Sequence, residues 1–364
     1  MAEVRYVFGN LRTGEVIDEI SLYGLSPMTL KMNDWGSFNG TLQLDQSNRS
    51  NADLVNAVVP LQCYLIVERE GTPVWGGIVW SSVYQSQSKS IQISAKTFEA
   101  YFERKLLLTD TNLTGEQRNI FRDLVNQLQS VPETNLGLTV PASFPTVVTK
   151  TITVLASERK NYAEVFSSIA DGDDGFDWKI DVVKTGGGAY NRILRIGYPQ
   201  LGTLDPTGLQ FEYPGSITNY YETASGGEAG THVSVIGQGE GSAMPVRTFT
   251  HQDLIDSGTW LRYDIDVPNK QITNPSLLQT LANKIGPQRR PPMRITKIFT
   301  MADRDPVFGS YGVGDSCTVV IKDPAHPTGL QAQARIVAIS YSPPTSQGVE
   351  EVELIFEGDE LNNG

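Results

Sequence analysis

With 364 residues, 39% of them hydrophobic and 19% charged, the chain has the balance of a soluble globular protein and exceeds one hydrophobic core, so two or three domains are expected, each able to fold without staples. The formal charge of −12 argues against a protein that grips nucleic acid, since that needs a basic patch whose neutralised phosphates release counterions. No apolar run approaches the roughly 18 residues of a membrane span, and Met1-Ala2-Glu3-Val4-Arg5 lacks the basic-then-apolar order of a signal peptide, which implies synthesis and folding in a cytosol.

From Val4 to about Ala95 the pattern has a period of two: Met28, Leu30 and Met32 alternate with Thr29 and Lys31, Leu42 and Leu44 with Thr41 and Gln43, and Ile91 and Ile93 flank Gln92. Half-buried strands are expected, with turns at Gly9-Asn10, Thr13-Gly14, Asn39-Gly40 and Glu70-Gly71, the spacing of a small barrel or sandwich. A brief helical turn is placed at residues 53–58, stopped by Pro60, and a helical run at Phe98 to Arg104. The first clear helix begins at Thr114, whose hydroxyl caps while Gln117 reaches back, and buries Ile120, Phe121, Leu124, Val125 and Leu128. A second begins at Asn161, with Glu164 in the same reciprocal position, and buries Tyr162, Val165, Phe166 and Ile169. Strands follow at 176–183 and 192–197 around the flexible tip Gly186-Gly187-Gly188, so residues 110–205 read as an α+β insert. From about 206 the β pattern returns, broken by a helix that Asn274 caps, Pro275 opens, Leu277, Leu278, Leu281 and Ile285 pack and Gly286-Pro287 stops. Strands then run from Arg294 to Phe356, and the 34 Gly and 20 Pro suit many short strands joined by turns.

General acid–base chemistry near neutral pH draws mostly on histidine, and His232, His251 and His326 are scattered singly, which favours structural roles. No zinc-protease, zinc-ribbon, hydrolase-elbow or nucleotide-loop motif occurs. The run Asp171-Gly172-Asp173-Asp174-Gly175-Phe176-Asp177 invites a calcium reading but fails the EF-hand spacing, with Phe176 where glycine is required and Val182 where a bidentate Glu belongs. A solvated acidic loop is expected there. Gly237-Gln238-Gly239-Glu240-Gly241 lacks the third glycine of a dinucleotide fingerprint, Ser242 standing in its place, and extended sequence follows, as at a glycine-bent strand end. Arg289-Arg290 before Pro291-Pro292 reads as a solvated turn, and the sequons at Asn39, Asn48 and Asn112 as chance matches. Cys63 and Cys317, in apolar strands far apart, read as buried free thiols. No catalytic residue, cofactor or metal ligand is assigned.

Three stretches, taken in order, resemble the hub and minor tail proteins at the tip of bacteriophage tails, a family shared with contractile baseplates and related secretion machines. Pro60 to Leu106 is similar to the family's strand pair around Trp75-Gly76-Gly77-Ile78, leading through Ile91-Gln92-Ile93-Ser94-Ala95 into Phe98-Glu99-Ala100-Tyr101-Phe102-Glu103-Arg104. His232 to Gly241, followed by the helix Leu277 to Ile285, resembles the middle of many minor tail proteins, and Gly312 to Ile321 with Arg335 to Tyr341 looks like their closing barrel.

The resemblance implies a mainly β fold with an α+β insert: a first tube-like β-barrel domain at 1–109, the insert at 110–205, and a second such domain at 206–364 with a helical excursion around 251–290. It further implies a homotrimeric ring of pseudo-six-fold symmetry in the virion, at the tail tip, continuing or closing the tail tube. Partners would be the distal tail protein ring, the tape measure protein and further tail-tip or fibre proteins, with DNA present only in passage through an acidic lumen. Many relatives carry a peptidase or lysozyme-like domain after the hub, and the end of this chain at Gly364 argues against a cell-wall-cutting role. The rival expectation is a carbohydrate- or wall-active virion protein using Asp171, Asp173, Asp174, Asp177 and Trp178 of the insert.

Overall fold

The computed structural model describes residues 2–45, 49–171, 174–227, 229–239, 241, 244–269, 275–291, 293–344 and 350–356. Strand outweighs helix, 43% to 18%, and one sheet is nearly closed into a barrel, so the chain is mainly β, as its alternation predicts. It separates into two compact units, one of Met1–Leu209, Phe299–Cys317 and Ile336–Leu354, the other of Gln210–Ile298, Thr318–Arg335 and Ile355–Gly364.

The first unit opens with β1 (Val4–Asn10), β2 (Val16–Glu19), β3 (Met28–Lys31), β4 (Ser37–Gln43), the short helix α1 (Asn51–Ala57), β5 (Cys63–Arg69), β6 (Thr72–Gln85) and β7 (Ser90–Thr97). All but β3 form one antiparallel sheet in the order β2-β1-β5-β6-β7-β4. Along β5 every residue is buried because both faces are covered: Tyr64 and Ile66 pack under Ile180, Val182 and Tyr190 of the insert, while the alternate side chains Cys63, Leu65 and Val67 turn to the opposite face. The glycine pair in β6 permits this closeness, since a Cβ on Gly76 would lie 2.6 Å from Val182 Cγ2 and one on Gly77 2.1 Å from the Lys96 carbonyl oxygen. After β7 the chain turns through a 3-10 helix, Phe98–Arg104.

The insert contains β8 (Thr111–Glu116), α2 (Gln117–Ser130), β9 (Leu138–Thr139), β10 (Thr149–Val154), α3 (Tyr162–Ala170), β11 (Asp177–Lys184) and β12 (Tyr190–Gly197). The expected apolar faces of both helices are buried as read. The cap at Asn161 holds as well, its Oδ1 accepting from the Glu164 N–H at 2.8 Å while its Nδ2 donates to Glu164 Oε1 at 2.8 Å. The cap at Thr114 does not. That residue lies in β8, its hydroxyl 2.8 Å from that of Thr151 on β10, because β-branched residues at 111–116 find a strand partner at 149–154 and the ladder outcompetes a local cap. The helix starts three residues later, at Gln117.

Closing strands return to this unit, where residues 338–341 pair antiparallel with β3. There Arg69 and Glu350, each with a side chain 9% exposed, form a two-pronged ion pair. Arg69 Nε donates to Glu350 Oε1 and Nη2 to Oε2 at 3.3 Å, while the Tyr341 hydroxyl donates to the same carboxylate at 2.5 Å. Burial first, and then this hydrogen bond to Glu350, push the Tyr341 phenol far above its ordinary range.

In the second unit a three-stranded sheet sets His232–Ile236 between Val246–Thr250, antiparallel, and Asp264–Pro268, parallel. Helix Pro275–Gln288 packs Leu278 and Ala282 against Val235. It ends at Gln288, two residues beyond the expected stop at Gly286, since a proline in a final turn removes only one ladder bond. The expected cap, Asn274, and the side chain of Leu277 lie outside the described residues. Gly237 donates to the Pro245 carbonyl at 2.8 Å, closing the glycine-bent strand end, with Glu240 and Ser242 outside the described residues. Cys63 and Cys317 are free and buried.

Removing one partner of a buried ion pair strands a charge in low dielectric. Glu350→Gln is expected to cost about 3 kcal/mol, read as a lower urea midpoint at unchanged slope. Adding Arg69→Met recovers most of that loss, because neither charge then remains buried.

Candidate functional site

The acidic stretch of the insert does not form a carbohydrate site. Trp178 is 4% exposed and sits among Phe102, Phe121 and Phe166 with ring centroids 5.8, 5.2 and 6.0 Å away, so it offers no face to a sugar. Asp177 is buried, its carboxylate accepting from the Leu201 N–H at 2.8 Å and from Asn33 Nδ2 at 3.5 Å. Asp171 ends α3, Asp174 lends its carbonyl to Gln117, and Asp173 lies outside the described residues. Among the described residues no three His, Cys, Asp or Glu side chains converge as a metal requires. The histidines stay apart: His232 Nδ1 is 2.7 Å from Thr250 Oγ1, His251 Nε2 is 2.9 Å from the Gly286 carbonyl, and His326 Nε2 is 3.0 Å from Glu222.

Two features of the first unit escaped the sequence reading. The first is a cavity of about 270 Å³ between β3, β6, the 3-10 helix and β11, whose wall includes Glu99, Lys179, Asp181 and Tyr311. Glu99 Oε1 accepts from the Ile180 N–H at 2.7 Å, and its Oε2 is buried with no hydrogen-bond partner. Burial, which penalises the charged form, pushes the Glu99 carboxyl up to about 7, against the opposing hydrogen bonds from Thr97 and Ile180. Lys179 is drawn instead to Asp181, at 3.2 Å, and to the Val313 carbonyl, at 3.3 Å.

The second is a groove of about 510 Å³ where the opening sheet meets the insert. Its floor is Ile78 and Leu136, its wall Trp80 and Tyr101, and its rim Arg12, Leu61, Arg104 and Lys105. Beneath it Arg192 fixes both sides: the buried guanidinium donates to the carbonyls of Leu11, at 3.0 Å, and of Leu136. It lies 5.2 Å from the Tyr64 ring and 4.7 Å from the Phe98 ring. Among the described residues it has no carboxylate partner, and burial lowers it to about 10. Nothing in the spacing around Arg192 marks it as buried, because the aromatic rings and carbonyls that hold it come from distant segments.

No family model matches the chain, and no curated protein sequence matches it. Solved structures do. It is similar to the 43 kDa tail protein of prophage MuSo2 from Shewanella oneidensis, with a TM-score of 0.61 at 11% identity over 98% of each chain. The chain has the fold of phage tail proteins. It is similar also to a tail protein from Neisseria meningitidis MC58, with a TM-score of 0.58 at 12% identity over 97% of this chain and 96% of that one. A chain of the Francisella PdpA–VgrG complex matches with a TM-score of 0.57 at 9% identity, and there the whole of this chain spans only 59% of the other.

Glu99 is a raised carboxyl, so the folded state binds the proton more tightly than the unfolded one. Its penalty is absent below the unfolded value of 4.5, grows as pH rises toward about 7, and is fully present above. Glu99→Gln keeps the acceptor for the Ile180 N–H without the charge. It is expected to raise stability at pH 8 by on the order of 3 kcal/mol and to leave it nearly unchanged at pH 4.5, as measured by denaturant unfolding at both.

Proposed function

We propose that this chain is a structural subunit of a phage tail tip: a hub, three copies of which close into a ring that continues the tail tube. The observation that carries the reading is likeness to a phage tail protein along 98% of both chains, with no segment of this chain left over for another activity. In this reading residues 1–109 and 206–364 are the two tube-like β-barrel domains and 110–205 the α+β insert. Two similar domains in each of three subunits give six quasi-equivalent positions, and a closed ring avoids open-ended growth. The distal tail ring would sit above, tip or fibre proteins below and the tape measure within. A formal charge of −12 suits a lumen that repels phosphates and lets DNA slide. The subunit works by geometry, not by turnover, and the burial of Trp178 and Asp177 supports that side of the reading.

Electron microscopy of assembled virions, with this chain marked by a bound antibody fragment, is expected to put three labels around the tail axis at the tip. Label away from the axis, or in a number other than three, overturns the hub. Light scattering of the purified ring should give three times the 39.9 kDa chain mass.

A further inference from the structure

The groove over Arg192 carries a second inference, which stands without the hub reading. Two backbone irregularities converge on it. Trp80 is a β-bulge: Val79 pairs with Ala95 and Ser81 with Ser94, which leaves Trp80 as the extra residue of β6 and turns it out of the ladder. Leu61 holds a left-handed backbone, φ +62°, with its N–H donating to the Val79 carbonyl at 2.8 Å. A branched residue in that conformation is strained, and yet its side chain is 52% exposed. Burial therefore does not explain why a leucine stands there.

The charges around the groove are as unusual as its backbone. In a chain of formal charge −12, the rim brings together Arg12, Arg104 and Lys105 against Glu133 alone. Among the described residues none of these three cations makes an ion pair. Their neighbours are aromatic faces: the Arg104 guanidinium lies 6.0 Å from the Trp80 ring and Lys105 Nζ 4.9 Å from that of Tyr101. Floor and wall are apolar, and the volume falls in the range of about 300 to 1,000 Å³ that takes a drug-sized molecule or a few side chains. Three cations make no track for a nucleic-acid backbone, which needs a line of phosphate contacts.

The geometry points to a docking groove for an acidic, partly apolar segment of another protein, one bulky apolar side chain resting on Ile78, Trp80 and Leu61 while flanking carboxylates reach Arg12, Arg104 and Lys105. Apolar burial supplies affinity, and charge complementarity fixes orientation and excludes basic segments. Arg192 keeps the groove preformed, so little ordering entropy is lost on docking.

A random twelve-residue peptide library, selected on the full chain and counter-selected on the Arg12→Glu, Arg104→Glu, Lys105→Glu triple variant, tests this. The expected result is enrichment of sequences with two or more carboxylates around a large apolar residue. Their affinity should fall roughly tenfold or more in the triple variant and weaken with salt. Leu61→Asn, which tolerates the left-handed backbone, should weaken the same peptides several-fold with no fall in melting temperature, separating docking from folding. No enrichment, enrichment of sequences without carboxylates, or equal binding to the triple variant overturns the inference. So does self-association of the wild-type chain that the triple variant abolishes in sedimentation, because the groove would then take a second copy.

Discussion

Arg69 and Glu350 meet although 281 residues separate them, and much of the first unit is arranged so that they can. Two charges out of water are tolerated only when each is fully engaged. Arg69 reaches both carboxylate oxygens and the Phe308 carbonyl, and Tyr341 donates to the same carboxylate. To bring them together, β5 must run through the middle of the opening sheet while the closing strand lies against β3. The pair fixes how the chain's early and late segments meet, a matter the surrounding apolar contacts leave less directional.

The insert is tied to the opening sheet by a different kind of contact. Gly76 leaves room for Val182, and Asn33 stands in for a strand neighbour, its N–H donating to the Trp178 carbonyl at 3.2 Å and its Oδ1 accepting from the Trp178 N–H at 2.7 Å. Glu99 receives the Ile180 N–H, and Arg192 spans the carbonyls of Leu11 and Leu136. These polar contacts are buried in an otherwise apolar seam, where an unmatched group costs more than a matched one gains. Their effect is to specify one docking geometry. Both the Glu99 cavity and the basic groove lie along that seam, so the features with functional potential arise where two segments meet.

A hub of the kind proposed needs rigid subunits with rims that neighbours can read. The sheet and insert supply rigidity, and the bulge at Trp80 with the strained Leu61 supplies a rim whose shape is set by backbone and not by side-chain choice. The acidic surface and the small basic groove then divide the labour, one repelling passing phosphates and the other selecting a partner.

The local part of this organisation was written in the chain. Period-two alternation gave the opening strands, 3.6-residue periodicity gave the buried faces of α2 and α3, and Asn161 with Glu164 marked a helix start, because each signal spans only a few residues. Thr114 had an equally good local signal and was claimed by Thr151, 37 residues away. Trp178 and Asp177 read as exposed chemistry and are core. Nor does an arginine's neighbourhood in sequence disclose that Arg69 will find a carboxylate and Arg192 only carbonyls and rings. The sequence by itself determined which segments are strand or helix and which faces are apolar. Only the tertiary structure decided which charges are buried, which strands meet and where a groove opens, because burial and long-range pairing depend on what distant segments bring to the same place.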